Sequence, residues 1–250
     1  GEPSWPEGYR EVAHYLRTLY EREKDEIAAR FPKVLRRVAG YNLDHLRPPH
    51  ANAAHLLVGS EGTLAFFEGV HLKLSPLPRH RTLGVCHFPN FHGAMDSAQH
   101  IVQLGPAAVE LVDRTMIELA RENAAFRSTV ERCIVGEPDA ILLVEFAGED
   151  RDAQVERLRR LAELMGDLGL PGSVVQLTDA ALQRDLWEVR KAGLNIMMSM
   201  KGDGKPVSFI EDCAVPLEKL AEYTDRLTEV FKKHGTSGTW YAHASVGCLH

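Results

Sequence analysis

Residues 56–77, LLVGSEGTLAFFEGVHLKLSPL, decide how this chain is read. Gly59-Ser60-Glu61-Gly62-Thr63-Leu64 is a compact glycine signature between two apolar runs. Two glycines bracketing a polar pair imply a sharp turn, because glycine enters left-handed backbone regions without a Cβ penalty. Ser60, Glu61, Thr63 and the turn's amides can then face a polar ligand. An isolated G-x-x-G also reads as a hairpin turn with a hydrogen-bonded Thr. Beyond Leu64 the apolar residues alternate, which predicts a strand. The preceding residues read as the tail of one domain, and the following ones as a second domain.

The full wording narrows the choice. GSEGTLA leading to LKLSPLP resembles the end of the FAD-binding domain in FAD-linked oxidases. These are the D-lactate dehydrogenase, glycolate oxidase and D-2-hydroxyglutarate dehydrogenase relatives of vanillyl-alcohol oxidase. The GSEGTLG loop of that family contacts FAD, so the resemblance implies that Gly59, Ser60, Glu61, Gly62, Thr63 and Leu64 bind the cofactor. Ala65 stands where the family usually has Gly. Upstream, Arg36, Arg37, Gly40, Tyr41, Asn42 and Leu43 resemble a segment of long members fused to an iron–sulfur module. Basic residues beside a Gly-Tyr-Asn turn can meet a phosphate or a carboxylate, or serve as surface charges.

Composition sets outer limits. The 250 residues suffice for one large domain or two small ones, and 44% hydrophobic content supports an ordinary core. A net charge of −6 and a pI near 6.1 argue against a nucleic-acid partner. No apolar run approaches the roughly 20 residues that span a bilayer. The first residues lack the basic-then-apolar pattern of a signal peptide. Cys86, Cys133, Cys213 and Cys248 form no C-x-x-C pair, which fits a reducing cytoplasm. Peripheral attachment at the inner face of the membrane and homo-oligomerisation stay open.

Residues 7–31 read as a helix, with Tyr9, Val12, Leu16, Leu19 and Tyr20 at helical spacing and Pro32 closing it. From residue 79, strands are expected at 81–88, 107–112, 140–147, 173–177, 206–213 and 238–243. Helices are expected after Asn90 and Asp113 as caps, after the 140–147 strand, from Asp179 towards Met200, and from Pro216. Two strand–helix–strand units suggest an α+β, ferredoxin-like antiparallel sheet with helices on one face. Residues 1–78 would be the C-terminal remnant of an FAD-binding domain of the PCMH type. Residues 79–250 would be the oxidase cap domain, truncated at its end.

The closing HASVGCLH places His243 and His250 seven apart around a glycine. Two imidazoles on such a turn can converge on one divalent metal, although solvated or core histidines are commoner. The segment resembles the family's H-x-G-D-G-N-L-H, whose histidines bind a metal in members that use one. The resemblance implies Zn or Mn at His243 and His250. Ser245, Val246 and Cys248 replace the family's Gly, Asp and Asn. A downstream Glu-His pair, with another ligand and the proposed base, is expected beyond this chain. Arg190, in LWEVRKAG, stands in the family's W-x-x-R context and is the candidate grip for a substrate carboxylate; a surface helix Arg is the plain alternative. Leu194 replaces a Thr found in some relatives. Asp212 and Pro216 match a D-V-x-V-P segment, with Asp212 expected as a helix cap. Ile210 and Glu211 stand where dicarboxylate-specific relatives have Lys, which makes a 2-hydroxyglutarate-type substrate less expected unless Lys201 or Lys205 substitutes. Cys213 and Cys248 would be redox-active in an electropositive site; buried, inert thiols are the commoner reading.

The resemblance implies part of an FAD-dependent oxidoreductase that oxidises a D-2-hydroxy acid, such as D-lactate or glycolate, to the 2-oxo acid. Arg190 and His243 are its catalytic candidates. Electrons would pass to a quinone or to an iron–sulfur module outside this chain. The alternative is a catalytically silent, ferredoxin-like binding or dimerisation module.

Overall fold

The computed structural model describes residues 6–37, 40–198 and 206–250. The chain divides into two compact units, residues 1–33 with 37–75, and residues 34–36 with 76–250.

The smaller unit begins with α1 (Glu7–Arg30). Phe31 leaves the helix in extended conformation, as a residue before proline prefers. Only Ile27 of α1 is fully buried, while Tyr9 and Val12 of the expected apolar stripe are exposed. A 3-10 turn at Leu43–Leu46 and the short α2 (Ala53–Leu57) follow. Asn52 caps α2 by accepting from the Ala54 amide. The strand expected beyond Leu64 is absent: residues 65–79 pair with no described strand. Alternation alone forms no ladder, because a strand needs a neighbouring edge for its backbone groups.

The larger unit contains β1 (His80–Phe88), α3 (Phe91–Ile101), β2 (Ala108–Asp113), α4 (Arg114–Glu122), α5 (Arg127–Cys133), β3 (Ala140–Gly148) and α6 (Arg151–Asp167). β4 (Val174–Leu177), α7 (Ala180–Lys191), α8 (Gly193–Met198), β5 (Cys213–Ala214), α9 (Leu220–Lys233), β6 (Tyr241–His243) and β7 (Cys248–Leu249) follow. Every pairing is antiparallel, in the order β4-β1-β3-β2-β6-β7-β5. The first four strands, with α3 and α6 as crossovers, make the expected ferredoxin-like α+β core. Asn90 and Asp113 cap α3 and α4 as their positions suggested.

Helices cover both faces of the sheet, not one as expected. Met95, Ala98 and Ile101 of α3, Leu158 and Leu161 of α6, and Leu220 of α9 pack on one side, with Val109, Leu111, Leu142 and Val144. Met116 and Ile117 of α4, Val130 of α5, Leu186 and Val189 of α7, and Ile196 of α8 cover the other, with Leu83, Val85, Ile141 and Leu143. The reason lies in β3, whose first seven residues are all buried. A strand apolar on both faces must be covered on both.

Two other expectations change. The strand expected at 206–213 is reduced to Cys213–Ala214, because its partner β7 offers only two residues of edge. The long helix from Asp179 breaks at Ala192 into α7 and α8. Ser199 to Lys205 lie outside the described residues.

Candidate active site

Strand register assembles the site. Glu110 of β2 pairs with His243 of β6, and Val112 with Tyr241. His243 pairs in turn with Cys248 of β7, and Tyr241 exchanges two backbone hydrogen bonds with His250, at 2.8 and 3.2 Å. Directly opposed residues share a face, and neighbours along a strand alternate. Glu110, Tyr241, His243, Cys248 and His250 therefore sit on the face that carries α7. Their alternates Val109, Leu111, Ala242 and Leu249 lie in the opposite hydrophobic layer.

Glu110 is the hub. One carboxylate oxygen accepts from Arg190 Nη2 at 2.9 Å, and the other lies 2.8 Å from His243 Nδ1. The Glu110 and Arg190 side chains are only 12% and 14% exposed. The guanidinium also lies over the Tyr241 ring, 5.1 Å from its centroid, and its buried Nε has no hydrogen-bond partner. Arg190 is thus a held cation with donor capacity left. The plain surface-helix reading fits its neighbours Glu188 and Lys191, which pair with each other in solvent, but not Arg190 itself. A second sheet carboxylate steadies α7: Glu145 accepts from Trp187 Nε1 at 3.0 Å and from Arg81 Nη1 at 3.1 Å.

His250 closes the other side. Its ring stacks on Tyr241 at 4.9 Å and meets His243 edge-on at 5.2 Å. Its Nδ1 lies 2.7 Å from Glu211 Oε2 and 3.6 Å from Asp212 Oδ1. A carboxylate at Nδ1 of each histidine favours the tautomer with its proton there and leaves Nε2 as a lone-pair donor. Cys248 Sγ is 4.0 Å from His250 Nε2 and 3.9 Å from Asp212 Oδ1. Asp212 is therefore not the expected helix cap; Pro216 precedes the 3-10 turn 217–219 without a side-chain cap bond, and Asp212, at φ 54°, turns its carboxylate towards Cys248. Burial pushes the Cys248 thiol above its ordinary range, which opposes a reactive thiolate.

Beside Arg190 lies a cavity of about 140 Å³, lined by Met116, Lys191, Met197, Thr239, Trp240 and Tyr241 among others. Its size and its apolar walls with one guanidinium suit a small organic anion. Asp113 shapes its rim: one oxygen caps α4 at the Met116 amide, and the other accepts from Thr239 Oγ1 at 2.7 Å and the Trp240 amide at 2.9 Å.

In the smaller unit, Gly59 and Gly62 take φ of 79° and 73°, so the signature is a sharp turn. The Thr63 amide and hydroxyl both donate to the Ser60 carbonyl, at 2.9 and 2.5 Å, as the plain turn reading expected. The Gly-Tyr-Asn segment supports this turn. Tyr41 and Thr63 hydroxyls lie 2.8 Å apart, and Asn42 Nδ2 donates to the carbonyls of His55 and Val58. Arg37 pairs with Asp44 and stacks on Phe31. The buried Ser60 hydroxyl has no hydrogen-bond partner.

Residues 77–250 match the family described as FAD linked oxidases, C-terminal domain. The chain belongs to that family. It is 32% identical to the D-2-hydroxyglutarate dehydrogenase of Escherichia coli strain K12 and 34% identical to that of Pantoea ananatis. These matches cover 96% and 98% of this chain but 25% of each relative. The D-lactate dehydrogenase of Archaeoglobus fulgidus is 29% identical over 87% of the chain and 43% of its own length. The chain thus spans about a quarter of the length of the D-2-hydroxyglutarate dehydrogenases it matches. The family is FAD-linked, and the relatives named are 2-hydroxy-acid dehydrogenases. No described helix is long and apolar enough to cross a membrane.

The residues present suit FAD, the group that the family's description names. An orphaned, buried Ser60 hydroxyl in a glycine turn is a donor awaiting an acceptor, which suits FAD. Two imidazoles with carboxylates at Nδ1 suit a divalent metal. The structure thus brings together Arg190, His243 and His250 of the expected set. Sequence reading missed Glu110, Glu211 and Tyr241. The available signal was the lone Glu in the apolar run AAVELV.

Proposed function

We propose that this chain supplies the substrate site of an FAD-dependent dehydrogenase that converts a D-2-hydroxy acid to the 2-oxo acid. The observation that carries the reading is Arg190, buried beside a small cavity, tied to Glu110 and retaining an unpartnered Nε. A guanidinium so held recognises a carboxylate through paired N–H donors. Glu110 fixes its orientation and also holds His243 Nδ1. Trp240, Tyr241 and Met197 give the cavity apolar walls beside the guanidinium. In the reaction the hydroxyl-bearing carbon loses a hydride and the oxygen a proton, which a base outside this chain would accept. Gly59, Ser60, Glu61, Gly62, Thr63 and Leu64 would help hold FAD, which would supply the hydride acceptor, and His243 and His250 would hold a Zn²⁺ or Mn²⁺ ion, which would supply Lewis acidity. A quinone or an iron–sulfur module outside this chain would be the electron acceptor.

D-Lactate and glycolate remain the first substrates to test. The four D-2-hydroxyglutarate dehydrogenase relatives add the dicarboxylate, whose second carboxylate would need a cation besides Arg190. Lys191 lines the same cavity, and Lys201 and Lys205 lie outside the described residues. The test is anaerobic flavin bleaching in the FAD-loaded protein with D-lactate, glycolate, D-2-hydroxyglutarate and longer 2-hydroxy acids. Bleaching by a D-acid and not its L-enantiomer is the expected result. A bound flavin that no acid bleaches would overturn the reading.

A further inference from the structure

Among the described residues, one group of three metal-capable side chains has donor atoms mutually within 4.8 Å: Asp212, Cys248 and His250. His243 is not among them. We propose that Cys248 Sγ and Asp212 Oδ1 join His250 Nε2 as ligands of a Zn²⁺ ion, giving this chain a mixed sulfur–nitrogen–oxygen metal site. The inference rests on the reading of a metal at His250 but not on His243 as a ligand.

The geometry supports each donor. Sγ lies 4.0 Å from His250 Nε2 and 3.9 Å from Asp212 Oδ1. Tetrahedral zinc with sulfur at about 2.3 Å and nitrogen at about 2.0 Å would set those two donors ~3.5 Å apart. An inward shift of roughly half an ångström brings Sγ to that distance from Nε2, and Asp212 Oδ1, which lies 3.6 Å from Nδ1 of the same ring, stands within 4.8 Å of the other donors. The histidine is already oriented for it: Glu211 takes Nδ1 at 2.7 Å, so the nitrogen nearest Cys248 is the lone-pair nitrogen. Strand pairing supplies rigidity, because Cys248 lies opposite both His243 and Ala214, and His250 is bonded at both backbone groups to Tyr241. Cys213 takes no part. It lies opposite Leu249, on the other face, where its thiol meets the Tyr223 hydroxyl. A thiolate also changes the metal preference. Sulfur ligands favour Zn²⁺ over the harder Mn²⁺, which an oxygen and nitrogen set would tolerate.

The test is a titration of Co²⁺ into chelator-stripped, reduced protein, followed by optical spectroscopy. One equivalent should produce a near-ultraviolet thiolate-to-cobalt charge-transfer band together with visible ligand-field bands. Zn²⁺ should abolish both by displacement. Cys213→Ser and His243→Ala should keep the charge-transfer band, and Cys248→Ser should lose it. X-ray absorption on the zinc-loaded wild-type protein provides a reading that needs no variant, with one sulfur expected at about 2.3 Å. Cobalt bound without the charge-transfer band, or a zinc shell of nitrogen and oxygen only, overturns the sulfur site while leaving the His243–His250 pair standing. Failure of the wild-type protein to bind either ion overturns both.

Discussion

Replacing Glu110 by Ala removes the acceptor shared by Arg190 and His243. The lost contacts are a 2.9 Å bond from Arg190 Nη2 and a 2.8 Å bond with His243 Nδ1. Both partners of the ion pair are nearly enclosed, at 12% and 14% side-chain exposure. An enclosed guanidinium left without its carboxylate costs about 3–5 kcal/mol, and the low end applies because a little solvent remains. We expect about 3 kcal/mol of destabilisation for Glu110→Ala. For a unit of this size that corresponds to a Tm lower by about 6–12 °C. Glu110→Gln keeps one acceptor and the shape, and should lose about 1–2 kcal/mol. Urea unfolding of both variants, with an unchanged m-value, is the assay. The double variant Glu110→Ala with Arg190→Ala should be less destabilised than the sum of the singles, because the second change removes the stranded charge. A loss below about 1 kcal/mol for Glu110→Ala, or strict additivity, would refute the view that this pair is a desolvated ionic hub.

Gly247→Ala should destabilise the larger unit by more than about 2 kcal/mol, since φ is 66° and a Cβ would stand 2.1 Å from the Val215 carbonyl oxygen; thermal unfolding reads it. His87 should make the fold acid-sensitive. Burial lowers its pKa below 6.5, and its neutral ring donates from Nδ1 to the Ser173 carbonyl while Nε2 accepts from the Val135 amide. The unfolded chain therefore takes up this proton first as pH falls, so the stability is whole above pH 6.5 and declines below it, by at most about 1.4 kcal/mol per pH unit. Urea unfolding between pH 5 and 8 should show that slope, reduced in His87→Ala. Trp187→Phe, which leaves Glu145 Oε2 only the longer 3.4 Å bond from Arg81 Nη1, should cost about 1 kcal/mol by the same measurement.

The sequence exposed the parts of this fold that depend on neighbours along the chain. Asn90 and Asp113 read as caps because each precedes an apolar helical stripe, and both accept the expected backbone amide. The strand–helix units read correctly for the same reason. Which face a helix covers was not legible: helical spacing marks an apolar stripe, not the side of the sheet on which it packs. Residues 206–212 carry a strand-like pattern, but a strand forms only where an edge is free to pair, and β7 offers two residues. Arg190, His243 and His250 were visible through their wording. Glu110 showed only as a lone charge in an apolar run; its partners are 80 and 133 residues away, and strand register brings them together. Asp212 was misread as a cap because its left-handed backbone conformation, which turns the carboxylate to Cys248, leaves no trace in composition.

The most direct test of the account is the anaerobic reduction of FAD-loaded protein by a D-2-hydroxy acid, compared between wild type and Arg190→Lys. Lysine keeps the charge but not the forked donors, so the account predicts a loss of kcat/KM of at least about 100-fold for flavin reduction, with the bound flavin spectrum unchanged. Equal flavin reduction by both proteins would contradict it and remove Arg190 from the substrate site.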